Sequence, residues 1–232
     1  MKHSKIIFIL ILFIFSSVSY AADLQKGIDA ARSGDFNTAL YEFEPLAEKG
    51  DAIAQYMLGQ MHIYGHGVKQ NTNEAIKWFR LSADQGDVNA QNILGYIYSN
   101  GESDIKNDKE AVKWYRLAAE QGDALSQNNL GLKYFNGKGV SQDYKLAVKL
   151  FILSAEQGQK DAQTSLGYMY ENGYGIDENL VFSHMWYSLA AENGHKTASQ
   201  NTRIIVKKMT ETQIKEAQIL AKKCINNNYK GC

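Results

Sequence analysis

Proline is nearly absent from the 232-residue sequence, which contains one, against a typical share of about 5%. That scarcity disfavours turn-rich β architectures and proline-rich linkers. Charge of one sign is not in excess either, since the formal net charge is zero, and a global basic surface for nucleic acid is therefore excluded. Apolar residues make up 44% of the chain, enough to build a core, which excludes wholesale disorder.

Long apolar runs are absent except near the start. Lys2 and Lys5 precede an unbroken apolar run over residues 6–15, and small residues follow it. This order is typical of an export signal, and the run spans only about 15 Å as a helix, too short for a membrane anchor. We expect residues 1–21 to be a signal peptide cut after Ala21. The product would be periplasmic or secreted, without stable membrane insertion.

A period of 36 residues runs through the rest of the chain. It appears in three series of residues that keep the same phase: Ala39, Ala75, Ala111 and Ala147; the leucines of Leu58-Gly59, Leu94-Gly95, Leu130-Gly131 and Leu166-Gly167; and Gly50, Gly86, Gly122, Gly158 and Gly194. Residues that share a phase are called repeat mates below. A fixed period of this size predicts a stack in which each unit buries its apolar face against its neighbours.

Each 36-residue block reads as two helices. The first is expected to start at an Asp cap and to stop at a glycine, which supplies a left-handed conformation. In three blocks this glycine follows an asparagine. The second is expected to start at an Asn or Asp cap and to carry apolar residues three and four apart. The expected caps are Asp51, Asp87 and Asp123 for the first helices, and Asn71, Asn107, Asp143 and Asn179 for the second; the expected Asn-Gly stops are Asn100-Gly101, Asn136-Gly137 and Asn172-Gly173.

These motifs, A-x-x-x-L-G, a G-x-G-V turn and A-x-x-W-[FY]-x-x-[AS]-A, resemble the Sel1-like repeat, a relative of the tetratricopeptide repeat. The resemblance covers residues 51–194 closely and residues 23–50 more loosely. It implies an all-α fold, a right-handed α-solenoid of stacked helix-turn-helix repeats. It also implies a usual role as an adaptor for protein complexes, without implying one activity. The function that we expect is a non-enzymatic scaffold that binds a protein or peptide on its concave face, with no cofactor.

The period divides the chain into seven parts. After the signal peptide, a degenerate tetratricopeptide-like capping repeat is expected first, then four complete repeats, and finally a C-terminal segment of capping helices with a disulfide tail. The expected ranges are 1–21, 22–50, 51–86, 87–122, 123–158, 159–194 and 195–232. Thr210 and Gln213 predict a capping box at the start of the last helix.

The resemblance also implies where a partner would bind. In tetratricopeptide repeats the concave groove is lined by first-helix positions −5, −2, +2 and +5 from the leucine of the Leu-Gly pair. These positions change chemical type between blocks here, which fits a surface free to specialise. The predicted binding residues are Tyr56, Gln60, Asn89, Asn92, Tyr96, Asn128, Leu132, Phe135, Thr164 and Tyr168.

Candidate chemical sites find less support. His62 and His66 are four residues apart, but glycines interrupt the helix there and further ligands are missing, so no metal site is predicted. His184 replaces aliphatic repeat mates and is expected to be a partly buried, hydrogen-bonded histidine. Ser103 and Lys106 match S-x-x-K without its companion motifs. Because some cysteine-rich Sel1-like relatives are assigned penicillin binding or weak β-lactamase activity, a hydrolase remains the alternative function.

The C-terminal end differs from the rest in chemistry. Cys224 and Cys232 are the only cysteines, and in an exported chain an even count predicts a disulfide, with an intermolecular bridge or a redox pair as alternatives. Residues 203–232 carry a net charge of +5, whereas residues 22–202 carry −7. This basic end is either a solvated surface or a contact for an acidic partner.

Overall fold

The computed structural model describes residues 23–232, so the expected signal peptide and its cleavage site lie outside the described residues. Every regular element in the described residues is helical. The described residues form two compact units, residues 23–93 and 94–232. The helices are α1 (23–33), α2 (Phe36–Glu48), α3 (Ala52–Tyr64) and α4 (Thr72–Asp84) in the first unit, and α5 (Val88–Asn100), within which the boundary between the units falls.

The second unit continues the alternation of first and second helices. Within it α9 packs on α10 and α7 on α8, and α10 also contacts both α11 and α12. Its helices are α6 (Asp108–Glu120), α7 (Ala124–Asn136), α8 (Tyr144–Ala155), α9 (Lys160–Asn172), α10 (Leu180–Glu192), α11 (Lys196–Ile205) and α12 (Glu211–Asn226), with a 3₁₀ turn at Val206–Lys208 before the last.

The predicted helix starts are confirmed. The carboxylates of the three aspartates accept from a backbone N–H three residues on, in the pairs Asp51–Ala54, Asp87–Ala90 and Asp123–Ser126. The second helices begin at the four predicted caps Asn71, Asn107, Asp143 and Asn179, each of which accepts a backbone N–H from the first turn. These side chains satisfy donors that the helix itself leaves unpaired. The capping box of Thr210 and Gln213 is also present.

Helix α5 ends at Asn100 as predicted, but the left-handed conformation expected at Gly101 is wrong. Gly137 and Gly173 are left-handed caps, as expected, but Gly101 is not among the glycines with positive φ. The turn after α5 is closed differently, because the N–H groups of Ile105 and Lys106 both donate to the carbonyl of Glu102. This block also has Ser103 where the other blocks have the second glycine of the G-x-G turn.

The glycine of each Leu-Gly pair allows a close helix contact. A Cβ placed on Gly131 would lie 2.7 Å from the ring of Phe151, and one on Gly167 would lie 2.5 Å from the ring of Tyr187. The same arrangement joins Gly59 to Phe79 in the first unit and Gly95 to Tyr115 in the second. The repeating glycine is therefore required by an aromatic ring of the second helix that packs directly on the first-helix backbone.

Helix α12 covers the outer side of α10. Met185 and Leu189 of α10 are fully buried and belong to one core cluster with Ala221 and Cys224 of α12. The repeat mate of Leu189 in α8, Leu153, is 49% exposed. Because α10 buries two faces, it is apolar nearly all round. Burial of its second face by α12 is the arrangement expected of a terminal cap, and the capping role of residues 195–232 stays a prediction.

The C-terminal tail is closed by the predicted disulfide between Cys224 and Cys232, whose Cα atoms are 5.4 Å apart. The loop lies against the turns that follow α8 and α10. The N–H of Gly231 donates to Glu156 at 2.9 Å, and the hydroxyl of Tyr229 donates to Asn193 at 3.3 Å. The intramolecular pairing is therefore the one that the structure contains.

Candidate functional site: a first-helix surface with an apolar pocket

In the first unit, the predicted binding residues lie on α3 and at the start of α5. Gln60 donates a hydrogen bond of 2.6 Å to the hydroxyl of Tyr56, and both side chains are half-buried. The Tyr56 ring lies 5.8 Å from that of Phe79, and burial raises the pKa of its hydroxyl. Asn89 is exposed and Asn92 is half-buried. On α3 this surface therefore presents a tyrosine whose hydroxyl is held by the amide of Gln60.

In the second unit, four predicted binding residues line one pocket of about 210 Å³. Leu132 and Phe135 come from α7, and Thr164 and Tyr168 come from α9. Its floor is the fully buried pair Phe151 and Met169, and its remaining lining residues are Ser165 and Asn201. The pocket lies between two successive first helices. Leu132 and Phe135, at positions +2 and +5 from the leucine of the third repeat, line it together with Thr164 and Tyr168, at positions −2 and +2 from the leucine of the fourth. An engineered cavity of about 150 Å³ holds benzene, so this pocket has room for one apolar side chain.

Four partly exposed aromatic rings, termed the aromatic cluster, adjoin this pocket: Phe135, Tyr144, Tyr168 and Tyr174. The ring of Phe135 lies 5.4 Å from that of Tyr144 and 6.0 Å from that of Tyr168. Tyr174 stacks on Tyr144 at 5.1 Å and lies 5.8 Å from Tyr168. Tyrosines in such a cluster offer apolar area together with a polar hydroxyl, a combination common at protein interfaces.

Two predicted binding residues have fewer free groups than the sequence implies. Asn128 is only 4% exposed, so its amide is not available to an extended peptide in this structure. Its repeat mate Thr164 donates its hydroxyl to the carbonyl of Lys160 at 2.8 Å and offers the pocket mainly a methyl group. Tyr96, by contrast, is 60% exposed on α5. Its role in binding stays a prediction.

Sequence reasoning missed four residues at this site. Ser165 and Asn201 line the pocket, and Tyr144 and Tyr174 complete the aromatic cluster. Ser165 and Asn201 share one phase of the period, immediately before the leucine position, and that shared polarity was the available signal. Tyr144 and Tyr174 lie at a helix start and in a turn, outside the first-helix positions that the resemblance selects.

Charged residues lie at the far end of α9. Lys208 forms a 2.8 Å ion pair with Glu171, and the hydroxyl of Tyr187 donates to the same carboxylate at 3.1 Å. The hydrogen bond to Glu171 raises the pKa of Lys208, and burial is the main reason that the pKa of Tyr187 is raised. One positive charge of the C-terminal segment, Lys208, is thus paired with an acidic residue of the fourth repeat, Glu171.

The other candidate sites have these surroundings. His62 is half-buried, whereas His66 is exposed and stacks on Phe36 with ring centres 4.1 Å apart. No group of three or more His, Cys, Asp or Glu in residues 23–232 is placed to hold a metal ion. Ser103 and Lys106 are exposed in the turn between α5 and α6.

Two further histidines have structural partners. His184 has its Nδ1 atom 3.3 Å from the hydroxyl of Ser188, so the expected hydrogen bond is present, and at 4% exposed the side chain is more deeply buried than expected. His195 caps α11, where it accepts from the N–H of Ala198.

None of the helices within residues 23–232 has the length and apolar character that crossing a membrane requires.

Comparisons with known proteins agree with this architecture. A Sel1 repeat protein from Oxalobacter formigenes is 28% identical with a TM-score of 0.70, covering 87% of this chain and 75% of that one. The protective antigen c5321 of uropathogenic Escherichia coli, which displays an SLR fold, is 26% identical with a TM-score of 0.60; the match covers 92% of this chain and 56% of that one. No curated protein matches the chain.

The family model described as the Sel1 repeat matches four consecutive stretches, residues 52–87, 88–123, 124–159 and 160–195. Together with the two solved structures, these matches confirm the predicted fold class, an all-α solenoid of stacked helix-turn-helix repeats. The matched stretches cover more than half of the sequence. The chain belongs to the Sel1 repeat family.

Proposed function

We propose that this protein is an exported, non-enzymatic scaffold that binds a protein or peptide partner through its first-helix surface. The observation that carries the proposal is the pocket of the second unit, where Leu132, Phe135, Thr164 and Tyr168 converge beside the aromatic cluster. Sel1 repeats generally serve as non-enzymatic scaffolds for protein–protein interaction, which supports this assignment.

The contact would use one apolar side chain of the partner as an anchor. The pocket accepts a single such side chain, and the half-exposed Tyr168 and Leu132 form its rim. Desolvated apolar anchors that fill a pocket dominate the energy of many interfaces, while the residues around them mainly exclude water. Tyr174 and Tyr144 would then cover the neighbouring residues of the partner with ring faces and hydroxyl groups.

Export rests on two features of the sequence. Lys2 and Lys5 with the apolar run of residues 6–15 make up the pattern of a signal peptide. The disulfide between Cys224 and Cys232 fits an oxidising compartment, because such bonds are rare where cytosolic thiols keep cysteines reduced. The periplasm and the exterior of the cell both meet this condition, so the partner would belong to the cell envelope or to a contacted host cell.

Binding can be tested with peptides selected by display on the purified protein, whose affinities are then measured by titration calorimetry. Tyr168→Ala and Phe135→Ala should each weaken binding by about tenfold or more, since each removes an aromatic wall of the anchor pocket. Leu117→Ala is the matched control, because Leu117 is exposed on α6 and does not line this pocket. Equal affinity of all three variants would show that the peptide binds elsewhere.

The alternative function is separated by a different assay. A hydrolase of β-lactams would turn over the chromogenic substrate nitrocefin and would lose that activity in the variant Ser103→Ala. The scaffold proposal expects no turnover above the background of a heat-denatured sample. Turnover that depends on Ser103 would replace the scaffold by the enzyme.

A further inference from the structure

The second helices carry a tryptophan in three of the four repeats but not in the third. Trp78, Trp114 and Trp186 share one phase of the period, and Leu150 stands at the same phase in α8. Trp114 and Trp186 are almost fully buried, at 1% and 2% exposed. The tryptophan is therefore a core residue of the repeat, and the third repeat has a smaller side chain in its place.

A pocket of about 440 Å³ opens beside Leu150. It lies within the second unit, between α6, α7 and α8, and involves none of the residues of the peptide pocket. Its lining residues are Arg116, Ala119, Glu120, Gly122, Gln127, Leu130, Tyr134, Leu146, Leu150 and Leu153.

The repeat mates of these lining residues belong to the same core cluster as a tryptophan elsewhere in the chain. One block later, the mates of Ala119, Leu130 and Leu153 form a single core cluster with Trp186, and the mate of Tyr134 packs against it; these mates are Ala155, Leu166, Leu189 and Tyr170. Two blocks earlier, Trp78 packs against the cluster that contains Ala47 and Leu58, the mates of Ala119 and Leu130. The residues that line the pocket therefore hold the same repeat positions as residues packed in a core that contains or contacts a tryptophan.

The pocket stays open because its walls are fixed by the rest of the repeat. Protein interiors relax only partly around a missing group, so a smaller side chain at a large-residue position leaves a cavity. Leu130 is 4% exposed and Leu150 is 9% exposed, so both are held within the core. Leu153 is 49% exposed, which makes the pocket accessible from solvent.

The rim of the pocket can hold a flat ring. The guanidinium of Arg116 donates to the hydroxyl of Tyr134 at 2.9 Å, which fixes a planar cation beside the opening. A guanidinium plane stacks well on an aromatic face. Glu120 adds a carboxylate at the same rim, so the opening favours no net charge in a ligand.

We propose that this pocket is a binding site for an indole-sized aromatic ring, which takes the place of the tryptophan that the third repeat lacks. A free indole compound and a tryptophan side chain of a partner present the same ring, and the probes below distinguish them. The site does not depend on peptide binding at the first-helix surface.

The test uses fluorine NMR of the full-length mature protein with two probes, 5-fluoroindole and the N-acetyl amide of 5-fluorotryptophan. We expect saturable binding of 5-fluoroindole with a dissociation constant of roughly 1 mM or tighter, given the ring's few non-hydrogen atoms. Binding of the second probe as well would identify a tryptophan side chain as the ligand, and binding of 5-fluoroindole alone would identify a free compound. Saturable binding of neither probe would overturn the proposal.

The decisive variant is Leu150→Trp, which restores the residue of the repeat mates. It should fill the pocket, raise the melting temperature and weaken probe binding by about tenfold or more. Unchanged probe affinity in a folded Leu150→Trp protein would show that the ring binds elsewhere and would overturn the proposal.

A second pair of variants keeps the test decisive if Leu150→Trp does not fold. Leu153→Asp introduces a charge at the exposed rim and should also weaken binding. Leu117→Asp is its matched control, because Leu117 is the repeat mate of Leu153, is also exposed and does not line the pocket. Equal affinity in the two variants, or equal binding of the non-aromatic ring cyclohexanol to the wild-type protein, would overturn an aromatic site at this position.

Discussion

Lys133 and Asp108 form an ion pair inside the second unit, with 2.5 Å between Nζ and Oδ1. The lysine side chain is 9% exposed and also donates to the hydroxyl of Ser99 at 2.6 Å. The repeat mates of Lys133 are the buried apolar residues Met61, Ile97 and Met169. A positive charge therefore occupies a core position that is apolar in the other repeats, and the carboxylate of Asp108 in the first turn of α6 pairs with it.

Removal of one partner of this pair should destabilise the protein. Lys133→Ala should lower the free energy of unfolding by about 1–3 kcal/mol, less than for a fully buried pair because Asp108 is 29% exposed. The double variant Lys133→Met, Asp108→Thr, which installs the residues of the first repeat, should stay within about 1 kcal/mol of the wild type. Urea unfolding measures both values. A double variant less stable than Lys133→Ala would contradict this account.

The same pair predicts an acid sensitivity. The hydrogen bond from Lys133 holds the pKa of Asp108 below its usual range. Because the folded pKa is lowered, the stabilisation is fully present above the unfolded value of about 3.9 and is lost as pH falls through the folded value. Asp108→Asn should therefore flatten the loss of stability below about pH 4, as measured by urea unfolding at fixed pH. An unchanged acid limb would show that other carboxylates dominate it.

His184 predicts a second pH dependence at higher pH. Burial lowers the pKa of its imidazole, so the folded state prefers the neutral ring. The unfolded chain takes up a proton below about pH 6.5, and stability should fall as pH drops from there towards the folded value. His184→Val, which restores the side chain of repeat mates Val112 and Val148, should remove that slope between about pH 7 and 5. A slope that persists in His184→Val would assign it to another group.

The Leu-Gly glycine should tolerate no side chain. Gly167→Ala places a Cβ against the fully buried ring of Tyr187 and should cost about 1–2 kcal/mol, after the gain in helix propensity is counted. Ser165→Ala, on the same helix, should change stability by no more than about 0.5 kcal/mol. In a Tyr187→Leu background the loss of stability caused by Gly167→Ala should be smaller. Thermal unfolding of the two single variants and the double variant measures this, and additive losses of stability would argue against the ring contact.

The disulfide should hold the C-terminal loop against the turns after α8 and α10. Alkylation of the native protein without reductant should label neither cysteine, whereas reduced, unfolded protein should take up two labels by mass spectrometry. The variant Cys224→Ser, Cys232→Ser should lose about 2 kcal/mol of stability, as expected for the closure of a short loop. Native labelling, or a dimer that reductant dissolves, would refute the intramolecular pairing in solution.

Maturation gives a prediction about the N-terminal segment. The small residues Ser19 and Ala21 lie at the two positions before the expected cut that signal peptidase reads, so the exported protein should begin at Ala22. Intact mass spectrometry of protein recovered from the cell envelope measures this directly. A mass that includes Met1 in that fraction would refute cleavage.

Much of the fold could be read from the sequence because the relevant chemistry is local. A capping side chain such as Asp123 bonds to a backbone N–H three residues away, and a left-handed glycine such as Gly137 ends the helix in which it lies. The exception, Gly101, belongs to the one turn with a serine at its second glycine position. The Asn-Gly pair at the end of the helix is the same as in the other blocks, but the turn is closed by hydrogen bonds to the carbonyl of Glu102.

The candidate site was only partly predictable. The first-helix phase selected Leu132, Phe135, Thr164 and Tyr168, which line one pocket in the structure, since positions on one helix face follow from spacing alone. Asn128 has the same phase as Thr164 but is buried, and no spacing rule distinguishes the two. Tyr174 joined the site from a turn, which a rule about helix faces does not include.

By itself, the sequence determined the repeat unit, its period and the ends of most helices, because caps, left-handed glycines and apolar periodicity act over a few residues. Exposure was decided by the tertiary structure. Leu153 and Leu189 are repeat mates with the same side chain, yet one is exposed and the other is buried, since α12 packs on α10 beside Leu189. Leu150 stands where its repeat mates are tryptophans, and the smaller side chain leaves a pocket only because the surrounding residues do not move in to fill the space.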